Sequence, residues 1–183
     1  ILIHRDYGLP DLPEKVLQKS LIILNSYSGN TEEVLDAFQL ALSKNLPMAI
    51  VSIGGKLLEL ARQNSIPYVE MPDWDLQPRL ALGLNFKALL RVLGQDKALI
   101  SGINFVDCEK TGKELADRLR GFVPIIYSSR KNGPIAYSWK IKINETSKKP
   151  AFANVFPELN HNEMAGFHAN DVSKLLSQNF HFV

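Results

Sequence analysis

A lone cysteine, Cys108, stands among 183 residues. No intramolecular disulfide is possible, so the fold must rest on its core and its backbone hydrogen bonds. Such cysteine usage fits a reducing compartment, with cytoplasm the expectation. Long apolar runs are missing as well: residues 21–24 are among the longest, whereas a bilayer-spanning helix needs about 20 predominantly apolar residues. No charged segment followed by a long apolar stretch opens the sequence, and the expectation is a chain neither secreted nor membrane-spanning. An excess of one charge is absent too, because 21 Lys and Arg face 19 Asp and Glu, for a formal net charge of +2. Without a broad basic field no nucleic-acid partner is expected, and any anion site must be local. No low-complexity tract interrupts the chain. With 45% hydrophobic and 22% charged residues, its composition is that of a globular protein long enough to bury a core.

What is present is alternation. Residues 1–3 read as a strand. Residues 21–24 read as a strand buried on both faces and 25–30 as a polar turn. From Thr31 onward, Val34, Phe38, Ala41 and Leu42 recur at helical spacing opposite Glu32, Glu33, Asp36 and Gln39. The unit then repeats: a strand over 48–52, a turn over 53–55, a helix over 56–63 with Leu57, Leu60 and Ala61 inward, and a short strand over 67–70. A helix follows over 80–93, carrying Leu84, Leu89, Leu90 and Leu93. Residues 97–107 are less regular and are read as a link. Beyond them come a helix over 108–119, a strand over 123–127, a helix over 135–143, a strand over 152–156 and the start of a helix over 157–167. Alternating β and α elements joined by short links define an α/β protein, with parallel sheets covered by helices in two similar lobes. The opening segment is apolar and residues 175–183 stop on apolar residues without a polar tail, so the chain is expected to be trimmed at both ends.

The segment Ser26-Tyr27-Ser28-Gly29-Asn30-Thr31 falls between a strand and a helix N-terminus. Backbone N–H groups and the helix dipole favour a phosphate at such a place. The hydroxyls of Ser26, Ser28 and Thr31 can donate to phosphate oxygens, and Gly29 lets the backbone approach closely, so a monophosphate can be held there without Lys or Arg. The same residues also suit plain helix capping, which Ser28, Asn30 and Thr31 can perform unaided.

Continued by Glu32-Glu33, this segment resembles the phosphate loop of sugar isomerase (SIS) domains, in the form found in bifunctional phosphoglucose/phosphomannose isomerases. Gly54-Gly55-Lys56-Leu57, Gln77-Pro78-Arg79, Asn144-Glu145 and Pro157-Glu158-Leu159-Asn160-His161-Asn162-Glu163 are similar to further signatures of that family and follow in the same order. The resemblance implies an SIS-type three-layer αβα fold, with a first lobe over 1–96 and the start of a second over 97–183. Members of the family carry a preceding strand with a Gly-Gly-Ser loop, and further α/β elements ending near a C-terminal lysine, so both lobes are expected to be incomplete. The resemblance also implies interconversion of glucose 6-phosphate and mannose 6-phosphate with fructose 6-phosphate through an enediolate. It implies no metal or nucleotide cofactor, and a homodimer in which His161 serves the partner's site. By match of motif, Ser26, Ser28 and Thr31 would bind the substrate phosphate, Arg79 would stabilise the enediolate, Glu145 would be the base and His161 would assist ring opening. These residue types suit those tasks: a carboxylate can shuttle one proton between adjacent carbons, a guanidinium stabilises developing oxygen charge, and imidazole titrates near neutral pH.

Each role has a plainer rival. Arg79 follows Pro78 and can pair with Asp73 or Asp75, Glu145 can be surface charge, and His161 can belong to a polar network with Asn160, Asn162 and Glu163. Glu158 and Glu163 are alternative bases. His161 with Glu163 suggests a metal, but no third ligand clusters with them and none is expected to bind. A non-catalytic phosphosugar-binding SIS module, as used in sensors, competes with the enzyme; it would need the Ser26–Thr31 loop but neither Glu145, His161 nor Arg79.

Overall fold

The computed structural model describes residues 1–95, 106–167 and 173–183. They fall into two compact units, 1–104 and 105–183. The boundary expected after residue 96 lies outside the described residues, as does most of the expected link.

The first unit begins with a short helix, α1 (Glu14–Leu17), and then alternates β1 (Ile22–Asn25), α2 (Glu32–Ser43), β2 (Met48–Ser52), α3 (Gly55–Gln63) and β3 (Tyr68–Glu70). A 3-10 turn, Pro78–Leu80, leads into α4 (Leu82–Val92). The three strands are parallel in the order β1-β2-β3, with Ile22 opposite Met48 and Ile50 opposite Tyr68. As the central strand, β2 is buried along its whole length, which is why it reads as an unbroken apolar run. Because successive strand residues face opposite sides, Leu24, Met48 and Ile50 pack with Phe38, Ala41, Leu57 and Ala61 of α2 and α3. Ile23 and Val51 face the other way, onto Met71, Ala88, Leu84 and Leu89, much of it the apolar stripe of α4. The result is three layers, αβα. Two details depart from expectation. Leu93 is exposed, because it caps the C-terminus of α4 and lies beyond its buried stripe. Residues 1–3 form no strand and are exposed; strand propensity alone does not make a strand where no neighbour pairs with it.

The second unit comprises α5 (Glu109–Arg118), β4 (Val123–Ser128), α6 (Gly133–Ser147), β5 (Phe152–Val155), α7 (Glu163–Gly166), α8 (Lys174–Ser177) and β6 (Phe180–Phe182). Its sheet is again parallel, ordered β5-β4-β6, with Tyr127 opposite Asn154 and Val123 opposite Phe180. Pro134 sits in the first turn of α6, where its missing N–H costs nothing, and Ala136 of that helix packs on Ile126 and Ala151. The helix expected over 157–167 is broken. A 3-10 turn, Glu158–Asn160, buries Leu159 completely, and α7 starts afresh after Asn162, whose side chain accepts from Glu163 N. An asparagine side chain that satisfies a backbone N–H in this way stops one helix and caps the next.

Candidate active site

In a parallel α/β sheet, ligands gather beyond the carboxyl ends of the strands. The Ser26–Thr31 loop leaves β1 at that end, and the Ser52–Gly55 loop leaves β2 beside it. The two are braced into one body. Ile53 N donates to Tyr27 O at 3.0 Å and Leu57 N to Gly29 O at 2.9 Å. Ser52 Oγ donates to Gly54 O at 2.9 Å, and Asn30 Oδ1 reaches across to accept from Lys56 N in the first turn of α3 at 3.1 Å. Gly29 has φ +73°, and a Cβ there would strike Gly54 O; Gly55 has φ +68°, and a Cβ there would strike Ser28 O. Only glycine permits both the left-handed backbone and the close approach.

Within the first loop the hydroxyls divide their work. Ser26 is buried; its Oγ lies 2.7 Å from Thr31 Oγ1 and accepts from Gly29 N at 3.1 Å. Ser28 is exposed and its Oγ accepts from Asn30 N at 3.2 Å. Thr31 stands at the N-cap of α2, yet its side chain makes no capping bond to that helix. Plain capping therefore does not account for this hydroxyl. The Tyr27 ring packs into the core under α4, which ties the loop to the sheet. Arg79 lies in the 3-10 turn between β3 and α4, so chain topology returns it to the same end of the sheet as the hydroxyl loop.

In the second unit the predicted residues separate. Connecting parallel β4 to β5, α6 must run back against both strands. Glu145, exposed near the end of α6, therefore sits at the amino end of the sheet. Lys149 Nζ, four residues on, donates to Leu119 O just before β4, which marks the same end. His161 follows β5 and is exposed at the carboxyl end. One copy of this unit does not bring Glu145 and His161 together.

Beside His161, Glu163 is held from two sides: its Oε1 accepts from Tyr127 Oη at 2.9 Å and its Oε2 from Asn154 Nδ2 at 2.6 Å. Desolvation foremost, then the bond to the Glu163 carboxylate and its charge, push the Tyr127 phenol up to about 12. Sequence reasoning singled out neither Tyr127 nor Asn154, although a polar residue closing one apolar strand and another interrupting the next, at the carboxyl ends of a parallel sheet, were the available signal.

Residues 108–183 match the bacterial phospho-glucose isomerase C-terminal SIS domain. Fold and match together make residues 108–183 a domain of the SIS class. Within that class, the chain is 36% identical over 171 residues to a bifunctional phosphoglucose/phosphomannose isomerase of Aquifex aeolicus, covering 90% of this chain and 52% of that protein. It is 35% identical to a D-glucosamine-6-phosphate 4-epimerase of Sulfolobus acidocaldarius, covering 80% of this chain and 50% of that protein. Among solved structures, the tagatose-6-phosphate ketose/aldose isomerase of Escherichia coli shares the fold, with a TM-score of 0.54 and 18% identity over 79% of this chain and 45% of that one. The chain is similar to the bifunctional phosphoglucose/phosphomannose isomerases along about 90% of its own length, with the SIS-domain match in residues 108–183, and spans about half the length of the curated relatives it matches.

Proposed function

We propose that this chain is the part of a cytoplasmic, homodimeric sugar-phosphate isomerase that interconverts glucose 6-phosphate and mannose 6-phosphate with fructose 6-phosphate. The observation that carries the reading is the hydroxyl loop at the start of α2, braced by two glycines and left uncapped by Thr31. In this reading Ser28 and Thr31 present hydroxyls to the 6-phosphate, Ser26 orders them from beneath, and the dipole of α2 favours the anion. His161 assists opening of the sugar ring, in which the anomeric hydroxyl gives up its proton as the ring oxygen takes one. The Glu145 carboxylate removes the proton from C2 of the open aldose and returns it to C1, the O2 proton passes to O1 as the carbonyl moves from C1 to C2, and Arg79 faces the enediolate oxygens. Because Glu145 and His161 stand at opposite ends of their sheet, a site that uses both draws them from two copies, which supports the dimer.

The relative named as a 4-epimerase favours a second reading, chemistry at C4 of an amino-sugar phosphate. The test offers fructose 6-phosphate and glucosamine 6-phosphate separately to the chain, alone and extended by the segments its relatives carry. Glucose 6-phosphate and mannose 6-phosphate formed from fructose 6-phosphate, with turnover reduced by about 100-fold or more in Glu145→Gln, is the expected result. Inversion at C4 of glucosamine 6-phosphate with no ketose conversion would install the epimerase reading instead. Binding of both sugars without turnover would leave a phosphosugar-binding module.

A further inference from the structure

The segment that presents His161 is clipped to itself and then pinned to the sheet. His161 N donates to Glu158 O at 3.1 Å, Asn162 Nδ2 to Glu158 Oε1 at 3.3 Å, and Glu163 N to Asn162 Oδ1. Leu159 plugs the core beneath, fully buried, while the histidine two residues later remains exposed. The outer pin is Glu163, whose two carboxylate oxygens take one donor each from Tyr127 and Asn154. Those donors are register partners on adjacent parallel strands, and neighbouring strands are about 4.8 Å apart, a spacing one carboxylate can bridge. Asn154 has no freedom to turn its amide over, because its Oδ1 already accepts from Val155 N at 2.8 Å. Tyr127, with its phenol pushed up to about 12, remains a donor throughout the neutral range.

We propose that Glu163 is a positioning residue: bridging Tyr127 and Asn154, it fixes the turn that carries His161 at the carboxyl end of the second sheet. This rests on the isomerase reading, and it assigns Glu163 a task other than that of the base, since both its oxygens are engaged.

The test compares Glu163→Gln, Tyr127→Phe, His161→Asn and the double variant Glu163→Gln/His161→Asn, each in the full chain extended as above. A glutamine can keep its Oε1 on Asn154 Nδ2, but its Nε2 must then face Tyr127 Oη, which has to turn its own proton away and accept; the charge that strengthened both bonds is lost. Expected for Glu163→Gln are a fall in kcat of up to about 100-fold, as for a small misplacement of a catalytic group, KM for fructose 6-phosphate nearly unchanged, and faster hydrogen exchange at residues 158–163 with α6 and β4 still protected. Tyr127→Phe, which removes one bond and adds no bulk, should shift exchange and kcat the same way by a smaller factor. The double variant should be no slower than His161→Asn alone, since the two act as a unit. Multiplying losses, or unchanged exchange at 158–163 in both anchor variants, would overturn the positioning role while leaving the isomerase intact. An unaltered protein that does not isomerise fructose 6-phosphate would overturn the reading itself, and this role with it.

Discussion

Tyr127 carries a consequence that pH can read. Its phenol titrates near 10.0 when free and is pushed up to about 12 in the folded protein, chiefly by desolvation and then by the Glu163 carboxylate. A group whose folded value is raised contributes stability that is fully present below the unfolded value. Between pH 10 and 12 the unfolded chain loses the proton while the folded one keeps it, so the contribution drains away over that window. Urea unfolding followed across this range is expected to show a midpoint that falls with pH, and Tyr127→Phe is expected to flatten that part of the fall. At this scale the sequence spoke unevenly. Glu163 could be singled out from its neighbours, but which oxygen meets which donor depends on the register of Tyr127 with Asn154, and residues 27 positions apart in sequence do not announce their pairing.

Two adjacent loops behave as one element. Asn30 spans them, accepting from Lys56 N while its own N–H is held by Ser28 Oγ. Asn30→Ala should therefore cost about 1 kcal/mol, as for a lost helix cap, and should weaken protection by inorganic phosphate in a thermal-shift assay. Gly29→Ala is expected to cost more. Forcing a side chain into the left-handed region takes about 1–3 kcal/mol, and at φ +73° the new Cβ would also meet Gly54 O; a lowered urea midpoint is the measurement. From β1 to β3 the strands and helices of the first unit were legible almost to the residue, since β2 is an unbroken apolar run and α2 and α3 show clear helical stripes; the short helix α1 was not read, and the strand read over 1–3 does not form. The turn over 157–163 was not, because Leu159 and Met164 suggest a continuous helix, and only the bond from Asn162 to the next backbone N–H breaks it. Nor could sequence show that the loops interlock, as each alone reads as an ordinary glycine turn.

For the whole molecule, the separation of Glu145 from His161 in the second unit makes a prediction about assembly. If each site takes Glu145 from one copy and His161 from another, then Glu145→Gln and His161→Asn, each of strongly reduced activity alone, should restore one another when unfolded and refolded together. Random pairing into twofold dimers would return about a quarter of the unaltered activity, from the one intact site in each mixed dimer. Sites built within single copies would return none, because every mixed dimer would carry one defect per site. The α/β class and the parallel sheets were legible at this scale from alternation alone; the opposition of the two residues was not, because it follows from the return path of α6 against its sheet. The interlock of the two glycine loops has a further consequence for anyone borrowing this site. Transplanted alone onto another parallel sheet, the Ser26–Thr31 segment would leave behind the amides of Ile53, Lys56 and Leu57 that hold its shape. The transferable module is the pair of loops with α2 and β2 between them.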